Sequence, residues 1–162
     1  MSHTEYEATI VAYVDVYREI EHELDGATAD QLAWKAAPGS WSVTEVLAHL
    51  VDHSLVVSFR LREILAGSSV RLPAFDQDAW VAGQRANDYS VGQLLVAAHA
   101  LVELNASLLA RLTDEEWQRS GINAAGATVT IAAAIGAFVQ HVGTHLAQIR
   151  RIKQALPEEL AS

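Results

Sequence analysis

The sequence predicts an all-α protein, a four-helix bundle with a long crossover between its second and third helices. Three observations point to this architecture. Four stretches repeat apolar residues at helical spacing, capping or stop residues bound them, and one connection is long enough to run the length of a bundle. Over residues 4 to 25, Tyr6, Ile10, Tyr13, Val14, Tyr17, Ile20 and Leu24 recur among charged residues, and Gly26 follows as a stop. Ser42 and Glu45 then form a capping-box pattern, in which each side chain satisfies a free amide of the first helical turn. The apolar segment behind them carries His49 and continues to Leu65, ahead of Gly67. Residues 67 to 89 contain Pro73 and a candidate short helix at 75 to 81, and form the crossover. Ser90 and Gln93 repeat the capping pattern before Leu94, Leu95, Ala98, Leu101, Val102, Leu108, Leu109 and Leu112, a third helical stripe. Thr113 and Glu116 make a short capped turn that offers Trp117 to the bundle end. The fourth helix begins near residues 128 to 130, runs through Ile131, Ile135, Phe138, Val142, Ile149 and Ile152, and ends before Pro157. No strand-like alternation competes with these helices.

A crossover of this length lets the second and third helices run parallel and the second and fourth antiparallel, whereas short turns would make every consecutive pair antiparallel. At ~1.5 Å of rise per residue, His49 lies roughly 10 Å from the start of its helix and His145 roughly 15 Å from the end of its own. The two histidines are therefore expected at similar depth.

With 162 residues, 51% of them hydrophobic, the chain is expected to form one domain over residues 1 to 162. Lysine and arginine number 11 against 20 aspartates and glutamates, a formal net charge of -9. Such a field repels nucleic-acid phosphates and anionic lipid, so neither is expected as a partner. The sequence has no cysteine, so thiol chemistry would have to use a thiol brought by a small molecule. No run resembles a signal peptide or a membrane span of about 20 apolar residues, and a soluble, cytoplasmic protein is the expectation.

His141 and His145, in HVGTH, stand one helical turn apart, where Cβ atoms are separated by about 5–6 Å and two imidazoles can converge on one cation. Their third partner must come from another helix, and His49, in VLAHL, is the candidate. Taken singly, the pair reads as edge residues of an amphipathic helix and His49 as a core histidine bonded to a carbonyl. Together, His49, His141 and His145 are the expected ligands of one divalent ion, with positions left for water or substrate as at catalytic sites. Zinc or nickel is expected, and imidazole also accommodates iron or copper. Gln148, one turn beyond His145, and Asp52, one turn beyond His49, are candidates to fix imidazole tautomers, although Asp52 reads first as a solvated surface charge. His53 repeats the four-residue spacing from His49, as a candidate fourth ligand or proton shuttle on a partly exposed polar face.

Other chemistries lack their residues. No glutamate follows His141 as a zinc protease would need, and neither a phosphate loop nor a serine nucleophile elbow occurs. Glu19 with His22 is the single Glu-x-x-His pair, too little for a di-iron bundle, and His3, His22 and His99 have no partners at ligand spacing. Arg60, Arg62, Arg150, Arg151 and Lys153 read as cations complementing helix C-termini, and Asn105 as a buried amide without an assigned role.

PGSWSVTEVLAHLVDH around His49, FDQDAW after the crossover and HVGTHLAQI near the end resemble the DinB-like superfamily over nearly the whole chain. The resemblance implies a four-helix bundle with a metal at positions matching His49, His141 and His145. It also implies an enzyme acting on a small molecule, a low-molecular-weight-thiol S-transferase or a related hydrolase. Relatives of that kind use thiols such as bacillithiol and mycothiol. A homodimer is expected. The competing expectation is a non-catalytic bundle serving as a dimeric binding or assembly module.

Overall fold

A computed structural model describes residues 3–160. The first stripe folds as two helices, α1 (His3–Asp15) and α2 (Arg18–Leu24), rather than one. At the break sits Tyr17, fully buried, whose hydroxyl donates to the Leu50 carbonyl (3.1 Å) and meets Ser54 Oγ (3.0 Å). Val14, expected on the buried stripe, is instead 42% exposed. A one-turn helix that periodicity cannot register, α3 (Ala29–Ala33), starts on a capping box of Thr28 and Gln31. The second long helix, α4 (Val43–Leu65), opens on the capping box of Ser42 and Glu45 that the sequence indicated.

The crossover carries α5 (Gln77–Gly83), capped by Asp76, and a 3-10 turn at Ala86–Asp88. The third long helix, α6 (Val91–Leu109), buries Leu94, Ala98, Val102, Asn105 and Leu109, a clean helical stripe. Ser90 stands at its N-cap, but its side chain makes no capping bond, so the box expected with Gln93 does not form. By length and hydropathy α6 is the one described helix that could cross a membrane; here it is a wall of the bundle. The expected turn is α7 (Asp114–Trp117), whose Trp117 is buried and stacked on Tyr6 at 4.7 Å.

Two three-residue strands, β1 (Ser120–Ile122) and β2 (Thr128–Thr130), then form an antiparallel hairpin pairing Ser120 with Thr130 and Ile122 with Thr128. Strands this short show no alternation to read, which is why the sequence pattern missed them. The Leu72 amide donates to the Ile122 carbonyl (2.7 Å), fastening the crossover to the hairpin edge. Gly121 suits this close packing, because a Cβ would lie 3.0 Å from Leu72 Cδ1 and 3.1 Å from Ile64 Cγ1, and those side chains would have to give way. The last helix is α8 (Ile131–Gln154), capped by Thr130.

Side-chain pairings set the directions. Ser42 bonds Asn87 at one end and Ser58 bonds Asn105 near the other, so α4 and α6 run parallel. His49 meets His145 while His53 meets Phe138, so α4 and α8 run antiparallel. Both directions match what the crossover implied. Glu23 accepts from Arg150 (3.0 Å) and from Lys153, so those cations tie α8 to α2 rather than merely complementing a helix dipole.

One buried cluster draws on α1, α2, α4, α6 and α8. Inside it lies a polar knot. Asn105 is fully buried, donates to Tyr13 Oη (3.1 Å), and accepts from Ser58 Oγ (3.0 Å) and Arg62 Nη1 (2.9 Å). Replacing it strands several buried polar groups at once, each costing about 1–3 kcal/mol if left unpaired. Asn105→Ala is therefore expected to lower unfolding free energy by about 2–3 kcal/mol in urea titrations; an unchanged midpoint would show that the knot adds no stability.

Candidate metal centre

Helix α4 contributes His49 and His53, and α8 contributes His141 and His145, each pair one turn apart and facing the other helix. His49 Nε2 and His141 Nε2 lie 2.9 Å apart. Ring centroids of His49 and His145 are 4.7 Å apart, those of His141 and His145 4.4 Å, and those of His53 and His141 4.2 Å. Four imidazoles thus share one site. The nitrogens that group most tightly, all within 4.8 Å of one another, belong to His49, His53 and His141. His145 borders that group through its ring.

The surroundings are aromatic. Trp41, just before α4, lies 5.1 Å from the His49 ring and 6.3 Å from His145. Phe75, from the crossover, lies 6.0 Å from both His49 and His53 and packs on Trp80. The tryptophan of the SWS segment and the phenylalanine of FDQDAW therefore both pack on the histidines. His145 Nδ1 bonds Gln148 Oε1 at 2.7 Å. An amide oxygen can only accept, so the ring's proton sits on Nδ1 and Nε2 keeps its lone pair.

Asp52 departs from both expectations for it. It is buried rather than solvated, and it accepts from Gln84 Nε2 (2.6 Å) rather than from a histidine. Its burial raises the carboxyl pKa, while the Gln84 bond opposes the rise. Asp52 therefore anchors the crossover over the site. Outside the cluster, His99 meets Glu21 at 2.7 Å and His22 lies 3.9 Å from Asp25, while the side chain of His3 lies outside the described residues.

All four imidazoles are held neutral near pH 7. Burial, reinforced by the neighbouring imidazoles, lowers the pKa of His49 to about 3 and that of His141 to about 4. Burial, then His141 and Arg60, lowers His53 to about 3. Burial also lowers His145, against the Gln148 bond. Neutral imidazole is the ligating form. Two ligand nitrogens at ~2.0–2.1 Å from a tetrahedral ion stand about 3.3 Å apart, so the 2.9 Å approach of His49 and His141 needs little adjustment to admit one. Among the described residues His49 Nδ1 and His53 Nδ1 are buried without a partner, a polar shortfall at this site. The donors present fit a divalent cation.

Fold and site together define a helical-bundle protein with a metal-competent histidine cluster at its centre. The chain belongs to the DinB superfamily, whose family model matches residues 12–149. It is 28% identical over 121 residues to a protein of Oceanobacillus iheyensis named "putative metal-dependent hydrolase", covering 75% of this chain and 69% of that one. A Bacillus subtilis protein of the same description, YfiT, is 24% identical over 149 residues, covering 89% of this chain and 84% of its own. The solved structure of YfiT, described as "a probable metal-dependent hydrolase with an unusual four-helix bundle topology", superposes with a TM-score of 0.87. That match, at 22% identity, covers 95% of this chain and 89% of YfiT. A Streptococcus pneumoniae structure superposes with a TM-score of 0.76 at 17% identity, covering 94% and 92% of the two chains.

The depressed histidine pKa values carry a pH signature. Between the unfolded value of about 6.5 and the folded values, the unfolded chain binds more protons, so stability falls as pH falls through that window. Metal-stripped protein is expected to lose urea resistance from pH 7 to pH 5, and His53→Leu to flatten the loss. A midpoint independent of pH over this range would contradict the burial of neutral imidazoles.

Proposed function

We propose that this protein is a metal-dependent enzyme in which His49, His141 and His145 hold one divalent cation, zinc or nickel, and that it acts on a small molecule. The observation that carries this reading is the convergence of imidazoles from α4 and α8, with His49 and His141 nitrogens 2.9 Å apart. Gln148 supports the choice of His145, because it leaves that ring's Nε2 unprotonated. When bound, a cation held by neutral ligands lowers the pKa of a water or thiol beside it, supplying a nucleophile at neutral pH. The chain's own residues hold the ligands in their neutral form: Trp41 and Phe75 pack beside the imidazoles, and Asp52 with Gln84 fastens the crossover.

The proposed reaction is hydrolysis or transfer of a low-molecular-weight thiol. The relatives' names favour hydrolysis, and a chain without cysteine would need its thiol from a small molecule. The proposal includes a cytoplasmic location and a homodimer, for which Val96 and Leu104, exposed on α6, offer an apolar face. A second reading of the ligand set rests on the tighter grouping of His49, His53 and His141, which would make His53 the third ligand.

Metal analysis of protein purified without a histidine tag separates these readings. One ion per chain is expected in the native protein, with loss in His49→Ala, His141→Ala and His145→Ala and retention in His53→Ala. Gln148→Ala is expected to weaken metal binding by about 10–100-fold. Retention in His145→Ala with loss in His53→Ala would establish the second ligand set. A native protein that rejects both zinc and nickel would overturn the function.

A further inference from the structure

Two cavities reach the histidine cluster by different residues. One, of about 510 Å³, borders Trp41, His145 and Gln148 and is as polar as it is apolar. The other, of about 380 Å³, is bordered by His53, Val57, Leu72, Ala137 and Phe138, with Arg60 in its wall. This second chamber is mainly apolar. Among the described residues that border it there is no aspartate or glutamate.

Arg60 stands out in that wall. Its Nε and Nη2 both donate to the Pro73 carbonyl (3.2 and 2.5 Å), which fixes the guanidinium plane and leaves Nη1 without a bond to a described residue. No carboxylate pairs with it among the described residues, although it is half-buried. Arg150 and Lys153 both meet Glu23, by contrast. A fixed, partly desolvated guanidinium without an anion is costly to keep and presents a planar donor edge suited to a carboxylate. At the opposite end, His53 carries a buried ring nitrogen without a partner among the described residues. Seven residues of α4 separate His53 from Arg60, roughly 10 Å at ~1.5 Å per residue, a span for a chain of about six carbons.

We propose that the chamber between His53 and Arg60 is a substrate subsite for an apolar small molecule with a terminal carboxylate, the carboxylate on Arg60 and the reacting end beside the histidines. Its role as a substrate subsite rests on the metal-dependent function proposed above, and it adds to that function the chemical class of the substrate. Small side chains at Ala134 and Ala137 on α8 keep the chamber open. Arg60 is thereby a specificity residue at the far end from the reaction, and hydrogen bonds to its charge would be worth about tenfold or more in affinity.

Hexanoate and 1-hexanol, titrated into the metal-loaded protein and followed by protein NMR, test this. Hexanoate is expected to shift resonances of residues around the chamber and to bind more tightly than hexanol. Arg60→Gln is expected to weaken hexanoate about tenfold and leave hexanol unchanged, Arg60→Lys to restore part of the loss, and Ala137→Leu to remove both ligands. Thermal melts of each variant show that it folds. The His49→Ala protein, its metal content measured in the same preparation, is expected to bind hexanoate through Arg60 as the native protein does. Binding that disappears with the metal and ignores Arg60 would place the carboxylate on the ion and overturn the subsite. Native protein that binds no hexanoate, or binds it undiminished in Ala137→Leu, would also overturn it. A His49→Ala protein that keeps its metal while hexanoate still tracks Arg60 would remove the metal reading and leave the binding site standing.

Discussion

The structure turns on the approach of His49 and His141, whose Nε2 atoms lie 2.9 Å apart between two long antiparallel helices. Unpaired polar atoms in an apolar interior cost about 1–3 kcal/mol each, and among the described residues this site buries two, His49 Nδ1 and His53 Nδ1. Burial alone would favour leucine at these positions. Four imidazoles are kept instead, each pair presented by one turn of a helix, with a glutamine fixing one tautomer and aromatic rings packed beside them. Such an arrangement is stable in the neutral state and leaves the ring nitrogens with unmet hydrogen-bonding capacity. The close Nε2 atoms of His49 and His141 are the pair that fits a divalent cation.

The rest of the bundle serves this geometry. The crossover makes α4 and α6 parallel, which leaves α8 free to pack antiparallel on α4 and set His145 against His49. Its path is fastened by Leu72 to the hairpin, Pro73 to Arg60, Gln84 to Asp52, and Asn87 to Ser42. Each lies near an end or the middle of α4, so the same segment that determines topology also roofs the site. Across the core, Asn105 ties α1, α4 and α6 through Tyr13, Ser58 and Arg62. A displacement of α4 relative to its neighbours therefore breaks hydrogen bonds as well as apolar packing.

Much of this was legible in the residues because it is periodic or local. The four stripes, the capping box at Ser42, the crossover, the packing of Trp117 and the meeting of His49 with the HVGTH pair all followed from spacing. What escaped depends on tertiary partners. Asp52 reads as a surface charge until Gln84 arrives from 32 residues away, and Asn105 shows no role until α1 and α4 supply its partners. Ser90 has the residue type of a cap but forms no side-chain bond. The hairpin is too short to alternate, and Val14 turns outward as α1 nears the break ahead of α2. His53 was visible as a four-residue echo of His49. Its burial against Phe75 and Phe138 was not, since Phe75 comes from the crossover and Phe138 from the far helix.

The central claim is that these imidazoles are ligands, and X-ray absorption at the metal edge of zinc-loaded protein tests it most directly. Three imidazole nitrogens at ~2.0–2.1 Å, completed by a light atom from solvent, are the expected shell. A shell of oxygens alone, without the multiple scattering of imidazole rings, would contradict the account.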